Sequence, residues 1–313
     1  MIFPNFIHSL GPRRTTAFTP HRVEHRESAE EEVRWDSGAS ISKSPCGSVD
    51  CMTDALAPKP EDLSIDAPPE LRAQLTHRTI REFTDQPVTD ETMETLYRVA
   101  MRTASSRGMQ HASIIRVTDP QLRAGLAAIG AQEYVGRAPV YLVFIVDSAR
   151  NAAILREQGY DPAAAGKTKV FVEGFTDACL MAQNVVNAAE RLGLGANYLG
   201  NIHNDTAAVI ETLQLPRYTF PVVGLTLGWP GQNPQLKPRM SPEFRVMENG
   251  YQHRTNWSEA LADYDKEMTT YYDLRNANSR VDSYINQVVK QLTPQRELED
   301  ESLQAARWQG FVI

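Results

Sequence analysis

A dense group of basic side chains lies at His77-Arg78-Thr79-Ile80-Arg81, where three of five residues are basic. The chain as a whole is acidic, with a formal net charge of -7 at pH 7. Because Arg78 and Arg81 are three residues apart, we expect one helical turn to bring both guanidinium groups to the same anion. Taken alone, the cluster describes a solvated basic turn equally well.

A second basic group, Lys237-Pro238-Arg239, follows a glycine-punctuated apolar segment far downstream. Proline fixes the backbone between the two cations. On its own such a tripeptide is usually a solvated loop. Because a phosphate dianion is held by clustered cations, the pair of groups predicts that both converge on one anionic ligand.

The composition narrows the class of protein. Among 313 residues, 42% are hydrophobic and 23% are charged, which is typical of a soluble globular enzyme. A pI near 5.6 argues against a general nucleic-acid binder. No apolar run approaches the roughly 18 residues of a membrane span. Three cysteines, Cys46, Cys51 and Cys179, give neither a disulfide framework nor a metal site, and indicate a reducing, cytoplasmic compartment.

Residues 1–60 differ in composition from the remainder. Residues 1–51 mix Arg, Ser, His and Pro with scattered apolar residues that follow no period. Such a segment buries too little apolar surface to offset its ordering entropy, so we predict a disordered N-terminal extension. It lacks the features of a signal peptide. Met52 begins a stretch that resembles an ordinary protein start, so an over-long start-site assignment is the alternative.

From residue 68 onwards, helical and strand periods alternate and predict an α+β fold with a sheet of four or five strands. Predicted helices cover 89–102, 120–128, 171–192, 206–213 and much of 257–290, and predicted strands cover 114–118, 139–147, 197–200 and 220–230. Residues 151–170 suggest a loose helix or a mobile crossing. The helix over 171–192 is apolar nearly all round, which predicts a central buried helix with Cys179 as a core residue.

Several short motifs follow one another along residues 70–312. They are His77-Arg78-Thr79-Ile80-Arg81, Ser105-Ser106, Gln110, Leu192-Gly193-Leu194-Gly195, Tyr198-Leu199-Gly200, Gly228-Trp229-Pro230 and Lys237-Pro238-Arg239. In this order they resemble the nitroreductase superfamily, and within it the NADPH-dependent oxygen-insensitive nitroreductase and flavin reductase P subgroup. The resemblance implies one FMN-binding domain over 68–313, a C-terminal excursion from about 240, and a central antiparallel-type mixed sheet wrapped by helices. It also implies a homodimer with two FMN sites at the subunit interface.

The resemblance also assigns roles to individual residues. Matching positions hold FMN through the side chains or backbone of His77, Arg78, Thr79, Arg81, Ser105, Gln132, Tyr198, Leu199, Gly200, Asn201, Lys237 and Arg239. Thr79, Ser105 and Gln132 match the pyrimidine edge, and a backbone N–H at Gly200 is expected to face flavin N5. Many relatives carry a second glycine where this chain has Asn201. Arg275 and Arg280 match the positions that read the 2′-phosphate of NADPH.

The function implied is hydride transfer from NADPH through flavin N5 to a nitroaromatic, quinone, azo compound or free flavin, in a ping-pong sequence. No catalytic side chain is expected, because the chemistry resides on FMN. The alternative is a non-catalytic flavin reservoir or redox sensor with the same fold. Retention of Arg275 and Arg280 favours the enzyme. The expected partners are a small-molecule electron acceptor and a second copy of the chain, without nucleic acid or membrane.

Overall fold

The computed structural model describes residues 68–271, 282–293 and 301–313. The N-terminal extension predicted over residues 1–60 lies outside these ranges, as do Arg275 and Arg280. Within the described ranges, no helix is long and apolar enough to cross a membrane. The same residues contain no group of three or more His, Cys, Asp or Glu side chains arranged to hold a metal ion.

A four-stranded antiparallel sheet forms the centre of the described structure. Its strands are β1 (Ala112–Arg116), β2 (Val140–Asp147), β3 (Gly195–Leu199) and β4 (Thr219–Gly228), in the order β1-β2-β4-β3. Central strands β2 and β4 are buried along nearly their whole length, as their continuous apolar sequences predict. An isolated parallel bridge from Thr79 to Ala196 lies beside β3, so the predicted antiparallel-type mixed sheet is confirmed.

The helices surround this sheet, consistent with the predicted α+β class. Their bounds are α1 Pro69–Leu75, α2 Asp90–Met101, α3 Pro120–Ile129, α4 Tyr134–Arg137, α5 Ala149–Glu157, α6 Thr168–Arg191, α7 Thr206–Thr212, α8 Trp257–Ala260, α9 Ala262–Thr270, α10 Tyr284–Leu292 and α11 Glu301–Trp308. Two predicted N-termini are confirmed. Thr89 Oγ1 accepts from Thr92 N at 3.2 Å, and Asp119 Oδ1 accepts from Gln121 N at 2.7 Å ahead of Pro120.

Helix α6 packs one face against the sheet and leaves the other exposed. Its buried face carries Phe171, Ala178, Ala182, Val185, Val186 and Ala189. On the other side, Val172 is 55% exposed, Phe175 37% and Leu180 48%. The prediction that Cys179 is a core residue is wrong, because its side chain lies on the exposed side. A contiguous apolar helix face that remains exposed in one protomer is typical of a protein–protein interface.

The end of the chain returns to the core. Ala305, Ala306 and Phe311 are buried, and the Phe311 ring centroid lies 4.9 Å from that of Phe171. A Cβ on Gly166 would lie 2.3 Å from the Gly310 carbonyl oxygen, so glycine is required at this close approach. The C-terminal excursion predicted from about residue 240 therefore ends in a segment that stabilises the central domain.

Candidate active site

The basic segment at residues 77–81 is extended, not helical. Thr79 bridges to Ala196 of β3, and Ile80 N donates to Ala196 O at 2.9 Å. Ile80 is buried against Gly195, where a Cβ would lie 2.6 Å from Ile80 Cγ1. The predicted helical turn is therefore wrong, because hydrogen bonds to β3 keep the backbone extended. In extended backbone, alternate side chains share a face, which groups His77, Thr79 and Arg81 and separates Arg78 from Arg81.

The two basic clusters meet at one cleft of about 570 Å³. His77, Lys237 and Arg239 all line it, although 160 residues separate His77 from Lys237 in the sequence. Arg78 holds the approaching chain in place instead, since its Nε donates to Pro234 O at 2.8 Å and its Nη1 to Thr76 O at 3.0 Å. The side chain of Arg81, the last residue of the basic segment, is half-buried. It does not line this cleft. Three basic side chains around one cleft can hold a phosphate group.

A carboxyl group that sequence reasoning missed stands beside these cations. Glu190, in the last turn of α6, accepts from His77 Nδ1 at 2.5 Å. Its side chain is only 12% exposed. Burial, helped by the nearby Glu190, raises the pKa of Tyr198, whose hydroxyl donates to Gln183 at 3.1 Å. Gln183 also lines the cleft, so Tyr198 is linked to the cleft through a hydrogen bond.

Gly200 leaves open space where β3 ends. Apart from its chain neighbours Leu199 and Asn201, a Cβ placed there would meet no atom of the described residues within 4 Å, and Gly200 does not adopt a positive φ. Neither packing within the protomer nor backbone conformation therefore requires glycine at this position. The adjoining Leu199 side chain is buried in the core, so only its backbone can face a ligand. Open space above a strand end suits the close approach of a flat ring.

The side chain of Asn201 is hydrogen-bonded to the end of α3. Its Nδ2 donates to Gly130 O at 2.8 Å, at the carboxyl end of α3. A Cβ on Gly130 would lie 2.1 Å from that Nδ2, so the small residue at 130 makes the contact possible. The amide of Asn201 thus joins the end of α3 to the turn that follows β3.

Gln132 is tied to β3 by a chain of hydrogen bonds. Tyr134 Oη donates to Gln132 Oε1 and accepts from Asn197 Nδ2 at 3.1 Å. Asn197 is buried within β3, three residues before Gly200. These contacts fix the orientation of the Gln132 amide, which the resemblance assigns to the pyrimidine edge, relative to the end of β3.

Ser105 lies in a different cleft from the two basic clusters. This second cleft has a volume of about 590 Å³ and is lined by Ser105, Gln110, Arg116, Arg150, Asp177 and Met181, among others. One protomer therefore does not bring Ser105 to His77 and Lys237. Arg275 and Arg280, the residues predicted to bind NADPH, lie outside the described residues and are not placed.

Comparison with known proteins shows the family of this chain. The family model described as "Nitroreductase family" matches residues 75–229, and that of its C-terminal domain matches residues 237–313. The chain is 40% identical over 225 residues to an oxygen-insensitive NADPH nitroreductase of Salmonella typhimurium, covering 72% of this chain and 91% of that protein. It is 38% identical over 219 residues to an NADPH-flavin oxidoreductase of Vibrio harveyi, covering 70% of this chain and 88% of that protein.

The fold comparison gives the same result. The crystal structure of nitroreductase A from Vibrio parahaemolyticus RIMD 2210633 superposes with a TM-score of 0.69 at 34% identity, covering 77% of this chain and 97% of that one. Sequence similarity thus extends over most of the described structure, and the superposition includes the sheet that positions the two clefts. The chain belongs to the nitroreductase family.

Proposed function

We propose that the protein is an NADPH-dependent FMN oxidoreductase that reduces a small acceptor, such as a nitroaromatic, a quinone, an azo compound or free flavin. The observation that carries this proposal is the convergence of His77, Lys237 and Arg239 on one cleft. Three relatives support it by name: an NADPH nitroreductase, an NADPH-flavin oxidoreductase and an FMN reductase (NADPH) from Bacillus subtilis, the last 35% identical over 218 residues.

The donor set fits the phosphate end of FMN. A phosphate ester carries up to two negative charges and several acceptor oxygens, which three basic side chains can satisfy. His77 is held by Glu190, and Arg78 ties the basic segment to the chain that leads to Lys237. These contacts hold the basic segment in place before the ligand binds, which reduces the conformational entropy lost on binding.

The region around the end of β3 fits the ring of the same cofactor. Gly200 offers an unobstructed backbone, and the hydrogen-bonded Gln132 amide offers one polar group for the ring edge. Bound FMN supplies the hydride-transfer chemistry between NADPH and acceptor. The protein then contributes binding, orientation and exclusion of water. Arg275 and Arg280 are proposed to select NADPH through its 2′-phosphate.

The working unit is a homodimer formed by the single domain over residues 68–313. The exposed apolar face of α6 supports this assembly, because Val172, Phe175 and Leu180 would otherwise stay in water. Each flavin is held by the basic cleft of one subunit and the Ser105 loop of the other, which accounts for two separate clefts in each protomer. The few cysteines and the dependence on NADPH are consistent with work in the cytoplasm.

The absorbance spectrum of the purified protein tests the proposal. We expect the bands of oxidised flavin, their loss on anaerobic addition of NADPH, and their return when a quinone is added. Parallel double-reciprocal plots with varied NADPH and quinone would support the ping-pong sequence. Flavin that stays oxidised with NADPH would instead favour a reservoir or sensor, and a protein that binds no added FMN would contradict both functions.

A further inference from the structure

Asp177 is a buried acidic residue in the middle of α6, with a relative exposure of 2%. Acidic side chains are rarely buried to this extent unless their oxygens are hydrogen-bonded. Its partners all belong to the Ser105-Ser106 turn, 71 and 72 residues earlier in the chain.

Four hydrogen bonds join Asp177 to this turn. Ser105 Oγ donates to Oδ2 at 3.0 Å, and Ser106 Oγ donates to Oδ1 at 2.8 Å. Ser106 N donates to Oδ1 at 2.9 Å and to Oδ2 at 3.2 Å. Ser105 Oγ in turn accepts from Gln110 N at 2.7 Å, which closes the loop from 105 to 110. The loop conformation is therefore centred on one carboxyl group.

The backbone of this loop needs such support. Arg107 and Gln110 adopt φ values of 54° and 53°, in the left-handed region that L residues with a Cβ rarely occupy. Conformations of this kind persist only where the surrounding contacts impose them. Glu173, one turn before Asp177 on α6, accepts from Arg107 Nη2, and Asn151 Nδ2 donates to Met109 O at 3.2 Å. Asp177 is the most deeply buried of these contacts.

The bonds also define what Ser105 can offer to a ligand. A serine hydroxyl has one proton and two lone pairs. Its proton is directed to Asp177 and one lone pair to Gln110 N, so one lone pair remains. The hydroxyl can therefore meet a ligand only as an acceptor, for example from a ring N–H. Because Ser105 and Asp177 both line the second cleft, this acceptor lies where a ligand can reach the cleft wall.

We infer that Asp177 is a positioning residue of the flavin site, which shapes the Ser105 loop and fixes the Ser105 hydroxyl as an acceptor. This role rests on the proposed function, because the ligand it serves is FMN. Asp177 acts through Ser105 and Ser106 and does not itself contact the cofactor. Without Asp177, the loop is free to leave its left-handed conformation, and FMN must order the loop as it binds.

Two variants and one control test this role. In Asp177→Ala, we expect the dissociation constant for FMN, measured by quenching of flavin fluorescence, to rise about ten- to a hundred-fold. Asp177→Asn keeps one acceptor oxygen for Ser106 N, so an intermediate value is expected, and it serves if the alanine variant does not fold. Thr95→Ala is the matched control, since this exposed hydroxyl donates to Glu91 O within α2, away from the exposed apolar face of α6. It should leave FMN affinity unchanged.

Amide hydrogen exchange in the flavin-free protein gives a second readout. Ser106 N donates directly to Asp177, so exchange in the peptide that covers residues 105–110 should accelerate in Asp177→Ala and not in Thr95→Ala. A double-mutant cycle with Ser105→Ala separates positioning from general loss of stability. If Asp177 acts through Ser105, the two losses of FMN affinity must be clearly less than additive.

The outcomes distinguish the two proposals. Unchanged FMN affinity in both Asp177 variants, unchanged exchange over residues 105–110, or additive losses in the cycle would overturn the positioning role and leave the proposed function standing. An unaltered protein that binds no FMN would instead overturn the proposed function. Weaker FMN binding with faster loop exchange and non-additive losses would establish Asp177 as the residue that shapes the loop.

Discussion

The imidazole of His77 and the carboxyl group of Glu190 are joined by a short hydrogen bond, with Nδ1 and Oε1 2.5 Å apart. The pair joins the extended basic segment to the last turn of α6. Because the Glu190 side chain is only 12% exposed, it depends on His77 for its hydrogen bond more than a surface carboxylate would. This hydrogen bond therefore stabilises the folded chain and also orients His77 in the cleft.

We predict that Glu190→Gln lowers the free energy of unfolding by about 1–3 kcal/mol, the usual cost when a buried polar group loses its hydrogen-bond partner. Urea denaturation would measure it. Glu94→Gln is the control, because Glu94 pairs with Arg98 on the exposed side of α2, where an ion pair contributes little. Equal effects of the two substitutions would show that the Glu190 contact contributes no more to the free energy of unfolding than an exposed ion pair does.

Substitutions of two arginines should distinguish binding of the FMN phosphate from binding of the 2′-phosphate of NADPH. Arg239→Ala is expected to weaken FMN binding about ten- to a hundred-fold, because Arg239 lines the basic cleft together with His77 and Lys237. Arg275→Ala should raise the KM for NADPH, leave FMN bound, and make NADPH and NADH more alike. Steady-state kinetics with both nucleotides and flavin titrations provide the measurements. Discrimination that survives Arg275→Ala would point to Arg280 or another residue.

The exposed face of α6 should hold the dimer together. Val172→Glu places a charge in the middle of this face, where Val172 is 55% exposed in the protomer. We expect sedimentation velocity to show monomers that have lost flavin. Ile154→Glu, at a similar 51% exposure on α5, is the control and should remain dimeric. A stable, flavin-loaded monomer of the unaltered protein at micromolar concentration would contradict the proposed assembly.

The C-terminal segment should contribute to the stability of the domain. Phe311 is 2% exposed and packs against Phe171 and Tyr218. Phe311→Ala is expected to lower the free energy of unfolding by about 3–5 kcal/mol, typical of a large aromatic removed from a core. Its neighbour Val312 is 72% exposed, so Val312→Ala should change little. Similar unfolding curves for the two variants would rule out a core role for Phe311.

His111 should make the folded state sensitive to acid. Its side chain is buried, and desolvation lowers its pKa below the ordinary value near 6.5, outweighing the opposite effect of Asp177 and Glu173. Arg107 and Arg150 add to the lowering. Below about pH 6.5, the unfolded chain therefore binds more protons than the folded protein, so stability falls as the pH decreases.

The variant His111→Gln should flatten this dependence between pH 7 and pH 5. Melting temperature measured across that interval provides the check. His253 is exposed on the C-terminal segment, so His253→Gln should keep the acid sensitivity of the unaltered protein. If all three proteins lose stability in parallel on acidification, another group is responsible.

Local signals in the sequence were enough for some features and insufficient for others. The caps at Thr89 and Asp119 and the buried strand β2 follow from neighbouring residues, and the structure confirms them. The extended conformation at 77–81 depends on pairing with Ala196, more than 100 residues away. Non-local pairing of this kind leaves no periodic trace in a short basic motif, so the helical turn was the wrong expectation.

Contacts between side chains far apart in the sequence also could not be predicted from local patterns. Glu190 and Asp177 belong to α6, and their partners lie 113 and 71 residues away. Acidic residues within an apolar helix are a usable signal, because a buried helix excludes unpaired charge. The exposure of Cys179 depends on which face of α6 meets the sheet, and an all-round apolar pattern does not determine that face.

Helix α6 carries Asp177 and Glu190 thirteen residues apart, or about 20 Å along one continuous helix. In the proposed dimer, Glu190 steadies the basic cleft of one flavin while Asp177 shapes the loop that serves the other. Each subunit would then contribute to both flavin sites through one continuous helix. Dissociation of the dimer would then disrupt both flavin sites at once, because α6 of each subunit contributes to both.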